Sequence, residues 1–413
     1  MHAVTLNAPN HQMNIQAIIF DMDGLMLDTE PLYRIAWKRA SAECGFLLTD
    51  EIYKSLVGRG RKDAEKTLAE TFGPKFPPGK FRTLAAQYEE QEFAGPPMPK
   101  KPGLDELLPF LDRTKVTLAV ATSTERRLTL PRLARAGLLA RLDAVATGDE
   151  VSRGKPFPDL FLLAAKRLDV EPSSCLVLED SEAGVFAARA AGMQVFQVPD
   201  LVEPSDEVRR AATGVFRSLI DVTEQLKTFA LSPPARRCYS RMIKTKRLIA
   251  LPLSMLDREE VRQMDRDPQI MATLGGVRSE EESERWLREN LEHWERHGFG
   301  IWVFRHATNG EVAGRAGLRR VEVEGAAEVE LGYVVASKFW GQGLATEMGS
   351  AILERGSPQI SMATDLPIAM DRIVALIETS NQRSLRVAAK LGFHFERNAM
   401  WKGLRTTLHR RVS

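Results

Sequence analysis

The chain has 413 residues, 44% hydrophobic and 27% charged, with a formal net charge of +2 at pH 7. That is the balance of a globular protein, and a net charge so near zero excludes bulk attraction to nucleic acid or to an anionic membrane as the basis of function. The length predicts two or three domains, and the three separated cysteines, Cys44, Cys175 and Cys238, indicate neither a disulfide framework nor a zinc site.

The opening segment MHAVTLNAPNHQMN has no basic stretch followed by an apolar core, so no signal peptide is expected. No apolar run approaches membrane-spanning length, and a cytoplasmic location is the expectation. The run IIFDMDGLMLDTE at 18–30 then predicts a short strand that delivers Asp21, Asp23 and Gly24 onto a turn. Two carboxylates held together in this way suit magnesium binding and phosphoryl transfer, one as nucleophile and the other as proton donor. Asp28 and Glu30 read equally well as charges capping the helix that follows Pro31.

From about 32 to 95 the pattern is purely helical, as in YRIAWKRASAECG and DEIYKSLVG, and predicts a helical insert. Within it VGRGRKDAE, at 57–65, carries Arg59, Arg61 and Lys62, either a solvated basic turn or a binding loop. The Pro-rich return AGPPMPKKPG (94–103) reads as a stiff hinge. Beyond it the β runs VTLAVAT (116–122), AVATG (144–148), CLVLED (175–180) and VFQV (195–198) alternate with the helical patterns LFLLAAKRL (160–168) and EAGVFAARAAG (182–192), the latter closed by Gly192. With AIIF (17–20), this rhythm predicts an α/β domain over residues 15–230, a doubly wound parallel sheet interrupted by the insert.

In such a sheet ligands sit at the carboxyl ends of the strands. Those ends carry Asp21 and Asp23, Thr122 and Ser123, Lys155 in SRGKPFPD, and Glu179 and Asp180. A phosphate dianion must be neutralised before a carboxylate can approach it, which calls for a cation and a lysine. A second acidic pair completes the oxygen-rich shell that Mg²⁺ prefers.

LSPPARRCYSR (231–241) breaks the pattern and reads as an inter-domain linker. Residues 242–413 predict a mixed α/β domain. Helices are expected at 257–267 and 279–297, and strands at 299–305, 311–319 and 327–335. A Gly-rich turn, a helix, a strand at 372–378 and another helix follow. In ELGYVVASKFWGQGLATEM (330–348), Gly341 and Gly343 permit close backbone approach, and the turn amides with the following helix N-terminus form an anion cradle. The spacing G-x-G-x-x-T matches neither a dinucleotide fingerprint nor a P-loop. Farther on, Pro358 and Pro367 in GSPQISMATDLPIAMD are expected to break any long helix. His293 and His297, at i and i+4 without an H-E-x-x-H arrangement, read as a solvated helix face.

DMDGLMLDTE, Thr122, Lys155 and Glu179-Asp180, in this order, resemble the four motifs of the haloacid dehalogenase superfamily, in its phosphatase and β-phosphoglucomutase-like branch. The resemblance implies that Asp21 is a nucleophile that becomes an aspartyl-phosphate, and that Asp23 protonates the leaving alcohol and then activates water. It implies Mg²⁺ bound by the Asp21 side chain, the Asp23 carbonyl and Asp180, with Glu179 in support. The insert would be a cap closing over a small phosphorylated metabolite, with Gly24, Arg59, Arg61 and Ser123 near it. Where the mutase has a catalytic histidine this chain has Tyr33, which favours hydrolysis over mutase action.

Residues from TKRLIALPL (245–253) to NQRSLRVAAKLGFHFER (381–397) resemble the GCN5-related N-acetyltransferases, most of all the ribosomal-protein N-terminal acetyltransferase-like group. The resemblance makes Trp340, Gly341, Gln342, Gly343, Leu344, Ala345 and Thr346 a pyrophosphate loop for acetyl-CoA. Asn381 and Ser384 would lie near the pantetheine arm, and the backbone from Leu331 to Val335 would pair with that arm. The acceptor would be an amine, of a small molecule or a protein N-terminus. Glu328 and Glu330, on the strand entering the site, are either exposed strand residues or, Glu330 above all, a base acting through water. The expectation is a two-enzyme fusion; a sugar-phosphate mutase in the first half, a non-catalytic CoA-binding second half, or a scaffold with relic sites are the alternatives.

Overall fold

The computed structural model describes residues 5–6, 14–56, 61–95, 98–233, 242–363, 373–401 and 403–411; for 5–6, 61–63 and 355–363 it describes the backbone alone. The chain divides into two compact units, Met1–Ser240 and Arg241–Ser413. Among the described residues no helix is long and apolar enough to cross a membrane.

In the first unit AIIF forms the strand Ala17–Phe20, and all four residues are buried. Burial on both faces is what a parallel strand covered by helices on each side requires. The sheet runs in the order Thr5–Leu6, Gly214–Val215, Gln194–Gln197, Cys175–Glu179, Ala17–Phe20, Thr117–Thr122, Ala144–Thr147. Only the Thr5–Leu6 pairing is antiparallel. Chain order moves outward from Ala17–Phe20 on one side and resumes on the other with Cys175–Glu179. The first strand is therefore the topological switch point, where a ligand crevice opens at the strand ends. The two-residue strands Thr5–Leu6 and Gly214–Val215 are too short to show a period in the sequence. Of the expected linker 231–241, Leu231 belongs to the strand Ala230–Leu231, paired with Asn14–Ile15, and residues 234–241 lie outside the described residues.

The insert consists of the helices Glu30–Glu43, Asp50–Lys54, Arg61–Phe72 and Pro78–Ala94. It has its own core, in which Trp37 meets Tyr53 and Phe81 edge-on and donates its Nε1 proton to Glu89 at 2.7 Å. Two extended segments join it to the sheet. They pair as a short antiparallel crossing, with Asp28 N donating to Pro99 O at 3.0 Å and Lys101 N to Met26 O at 2.9 Å.

The second unit is built on an eight-stranded sheet. Its order is Ile243–Lys244, Leu248–Pro252, Ile301–His306, Val312–Val323, Ala326–Val335, Ile373–Glu378, Leu404–Arg411, Phe393–Trp401. Among the described residues, Ala326–Val335 and Ile373–Glu378 are its one parallel pair, registered at Val329–Ile373 and Glu330–Val374. Past Glu330 the two strands separate. The strand expected at 311–319 extends to Val323, and the closing hairpin was not read from the sequence.

The expectation that Pro358 breaks a long helix does not hold: the helix Leu344–Ala363 runs past it. Leu344, Met348, Ile352 and Leu353 anchor the part of this helix before the proline in the core. Pro367 lies outside the described residues.

Candidate functional sites

Three neighbouring strand ends build the first site. Phe20 is in register with Leu178 on one side and Val120 on the other. Asp21, Glu179 with Asp180, and Thr122 therefore emerge at one level. Asp21, Glu179 and Asp180 each offer an oxygen, and these oxygens lie within 4.8 Å of one another. Lys155, from the loop after Ala144–Thr147, donates its Nζ to Asp21 Oδ1 and, at 2.5 Å, to Glu179 Oε1. The other Glu179 oxygen accepts from Ser181 N at 2.8 Å and Ser181 Oγ at 2.9 Å. Gly24 has φ +85°, and a Cβ there would stand 2.3 Å from Asp180 Oδ2, so the turn and the approach of Asp180 both demand glycine.

The electrostatics follow from burial. Desolvation drives the Asp21 carboxyl up to about 7, opposed by Lys155 and assisted by Glu179. Asp180 is raised far above the usual carboxylate range by burial and then by Glu179 and Asp21. Burial pulls the Lys155 ammonium down, but Asp21 and Glu179 more than offset it, and it stays charged. Three carboxylates thus share one ammonium in a water-poor pocket. This oxygen-rich, under-neutralised donor set is one that a hard divalent cation fits.

Asp23 is held by two residues that the sequence reading did not single out. Thr124 Oγ1 donates to its Oδ2 at 2.7 Å, and Arg132 Nη1 lies 3.4 Å from its Oδ1. Arg132 also donates to the Tyr33 hydroxyl at 2.7 Å, and its guanidinium stacks on Phe93, 3.6 Å from the ring centroid. Thr124 follows Thr122 and Ser123 directly, so proximity was its signal; Arg132 is one arginine among several on a helical stretch and has none. Thr122 is buried, with its hydroxyl accepting from Thr124 N at 3.1 Å, while Ser123 is exposed. Arg59 lies outside the described residues, and Arg61 is described only as the first residue of its helix.

The second site opens where Ala326–Val335 leaves Ile373–Glu378. A cleft of about 890 Å³ is lined by Tyr333 to Val335, the turn from Trp340 to Thr346, and Asn381 and Ser384. Tyr333 and Val335 come from the stretch that has lost its parallel partner. The first N–H groups of the helix starting at Leu344 have no intrahelical acceptor and carry the positive end of its dipole. Arg247 braces the turn. Its Nη1 donates to Gln342 O at 2.8 Å and its Nε to Glu347 at 2.6 Å, while Thr245 Oγ1 donates to the same carboxylate at 2.6 Å. Engaging the Gln342 carbonyl orients the loop. Trp340 Nε1 donates to Val335 O at 2.9 Å under the Arg383 guanidinium, 4.4 Å from its ring. Asn381 accepts from Ser384 N at 3.0 Å and donates to Thr273 at 2.8 Å, so it caps the helix Gln382–Lys390 and spans the cleft wall.

Neither strand glutamate is free. Glu330 is buried and accepts from Arg319 at 2.7 Å; Glu328 accepts from both terminal nitrogens of Arg410 at 2.8 and 3.1 Å. The expected solvated histidine face is also corrected. His293 is half-buried, its Nδ1 is 2.9 Å from Phe299 O, and its Nε2 accepts from Arg320 N at 2.9 Å. Burial and then His297 hold it neutral, down to about 4, and both ring nitrogens are occupied in joining helix to strand.

Residues 18–198 match the family model described as haloacid dehalogenase-like hydrolase, and residues 247–394 that of the acetyltransferase (GNAT) domain. A phosphorylated carbohydrates phosphatase of Thermotoga maritima is 36% identical over 180 residues, covering 44% of this chain and 83% of that protein. Fructose-1-phosphate phosphatase YqaB of Escherichia coli is 35% identical over 188 residues, covering 44% and 95%. A solved structure from Bordetella pertussis, described as a GnaT-family acetyltransferase, is 27% identical, with a TM-score of 0.36, covering 41% of this chain and 99% of that one.

Removing the ammonium should expose the charge balance of the first pocket. Lys155→Met is expected to lower the unfolding temperature more at pH 8 than at pH 5, because loss of the ammonium raises the buried Asp21 carboxyl further above its unfolded value, and a raised carboxyl costs more stability as the pH climbs toward its folded value. Thermal melts at the two values check the difference.

Proposed function

The chain belongs to the haloacid dehalogenase-like hydrolases over its N-terminal half and to the GNAT acetyltransferases over its C-terminal part, and on that premise we propose a specific chemistry for each half. The two families make it a phosphoric monoester hydrolase joined to an acetyltransferase.

The first half hydrolyses a small phosphate ester with Asp21 as nucleophile. The supporting observation is the convergence of Asp21, Lys155, Glu179 and Asp180 at adjacent strand ends. Asp21 attacks phosphorus and holds the phosphoryl group as an aspartyl-phosphate, while Asp23 hands a proton to the departing alcohol. Asp23, steadied by Thr124 and Arg132, then takes a proton from the water that attacks the intermediate. Lys155 and Thr122 hold phosphoryl oxygens, with the Gly24 turn and Ser123 beside the substrate and Arg59 and Arg61 toward its distal part. Mg²⁺, held by Asp21, Asp180 and the Asp23 carbonyl with Glu179 in support, would supply charge neutralisation and orientation of the phosphate. The named activities of the two phosphatase relatives make phosphorylated carbohydrates the first esters to test. Tyr33 favours hydrolysis over mutase action: its hydroxyl accepts from Arg132, and burial followed by the Asp23 charge holds its own proton firmly.

The second half transfers acetyl from acetyl-CoA to an amine. The cofactor lies along Leu331–Val335, its pyrophosphate on the amides from Gly341 to Thr346, and its pantetheine arm near Asn381 and Ser384. Glu330 is the base, acting through water from its pairing with Arg319. The support is the separation of the two parallel strands beside a turn that opens a helix.

Asp21→Asn is expected to lower Mg²⁺-dependent phosphate release by several orders of magnitude, measured with phosphorylated carbohydrates; retention of full activity sinks the nucleophile assignment. A carboxyl must be ionised to ligate a cation. With Asp21 raised to about 7, Mg²⁺ affinity should climb as pH rises toward and past that value, which titration calorimetry at several pH values would show. In the second half, Gly343→Val and Arg247→Ala should each weaken acetyl-CoA binding by tenfold or more, the first by crowding the loop and the second by releasing it. Calorimetry on the full chain checks this, and binding without turnover on any amine would favour a CoA-sensing module.

A further inference from the structure

Asp200 lies three residues beyond the strand Gln194–Gln197, next to the strand that carries Glu179. Its side chain is 10% exposed. Oδ1 accepts from Lys101 Nζ at 2.6 Å, whereas Oδ2 is buried and has no hydrogen-bond partner among the described residues. A buried carboxylate oxygen without a donor is costly and calls for one. Its direction is marked by Gly24. A Cβ built there would stand 2.3 Å from Asp180 Oδ2 and 3.5 Å from Asp200 Oδ2, so both oxygens border the same small space. Asp180, being acidic, cannot serve as donor once ionised. A water ordered by a cation on Asp180 can, and such water is a strong donor.

The partner on Oδ1 is equally specific. Lys101 sits in the crossing that joins the helical insert to the sheet. Its backbone N–H is bonded to Met26 O at 2.9 Å, and its ammonium also lies 3.5 Å from Asp28 on the opposing segment. One carboxylate therefore has one oxygen fixed by the hinge and the other turned toward the acidic pocket.

We propose that Asp200 is a positioning residue for the cation, accepting a hydrogen bond from cation-bound water through Oδ2, and that through Lys101 it ties cation binding to the order of the hinge. The inference rests on Asp21, Glu179 and Asp180 holding Mg²⁺. Asp200→Asn is the discriminating variant, because it keeps shape and the acceptor for Lys101 while placing an N–H₂ donor where the orphan acceptor stood. Mg²⁺ would be titrated calorimetrically into the full chain without any phosphate ester, and backbone hydrogen exchange followed over residues 26–28 and 98–101 with and without Mg²⁺. Asp200→Asn is expected to weaken Mg²⁺ about tenfold, to leave the metal-free unfolding temperature near that of the unaltered chain, and to abolish a Mg²⁺-dependent slowing of exchange in the hinge; Asp200→Ala should weaken Mg²⁺ likewise. Equal Mg²⁺ affinity in the unaltered chain and both variants overturns this inference and leaves the phosphatase reading standing. Failure of the unaltered chain to bind Mg²⁺ at all overturns both.

Discussion

The buried ammonium of Lys155 is the contact on which the first site depends. The sheet brings three carboxylates to one level at adjacent strand ends, and burial alone would drive protons onto Asp21 and Asp180. Lys155 is the fixed positive charge among them, shared between Asp21 and Glu179. It reaches them from the loop after the edge strand Ala144–Thr147, across Thr117–Thr122. A buried ion pair of this kind is a weak source of stability, because desolvation consumes most of the Coulomb gain. Its value lies in geometry. One ammonium cannot neutralise three carboxylates, so the pocket retains a demand for positive charge, which suits it to a cation and a phosphoryl group together.

In the second unit backbone, more than side-chain charge, makes the site. Two parallel strands keep register for two residue pairs and then part. The strand freed on that side, the turn at Trp340–Thr346 and a helix N-terminus then face one cleft. Keeping such an opening in a β-sheet requires rigid walls. Arg315 pairs with Asp265 at 2.6 Å and stacks 4.0 Å from the Trp286 ring, and Arg305 pairs with Asp257 at 3.0 Å. These buried pairs pin the helix Arg258–Arg266 to the strands, and the residues following that helix, Gln269 to Leu274, form the facing wall. Arg247 and Glu347 perform the same service for the turn itself.

Among the described residues, the helical insert meets the sheet domain at contacts that include several beside the chemistry. Arg132, from the helix Arg126–Arg135 beside the sheet, touches Asp23, Tyr33 and Phe93, the last two belonging to the insert. Lys101 and Asp28 sit on the paired segments that lead into and out of it. A movement of the insert would therefore be felt first at Asp23 and at Asp200. This is the arrangement an enzyme needs if closure over a substrate is to complete its catalytic groups.

Much of this was legible in the sequence because local pattern suffices for it. Fully apolar runs such as AIIF and CLVLE mark parallel strands buried on both faces, and motifs placed at strand ends must meet if the strands are adjacent. Asp21, Lys155, Glu179 and Asp180 were named on that ground, and the glycine turn at 341–343 from its spacing. What the sequence could not determine are contacts between segments far apart in the chain. Arg132 reaches Asp23 across 109 positions, and Lys101 reaches Asp200 across 99. Nothing in the neighbourhood of either residue distinguishes it from an ordinary surface cation. The same limit explains Pro358, past which the helix runs against a local rule, and His293, which burial and then His297 hold neutral while Phe299 and Arg320 engage its two ring nitrogens. Local propensity and period act over a few residues; charge pairing and desolvation act through space, and only the folded chain specifies who is near.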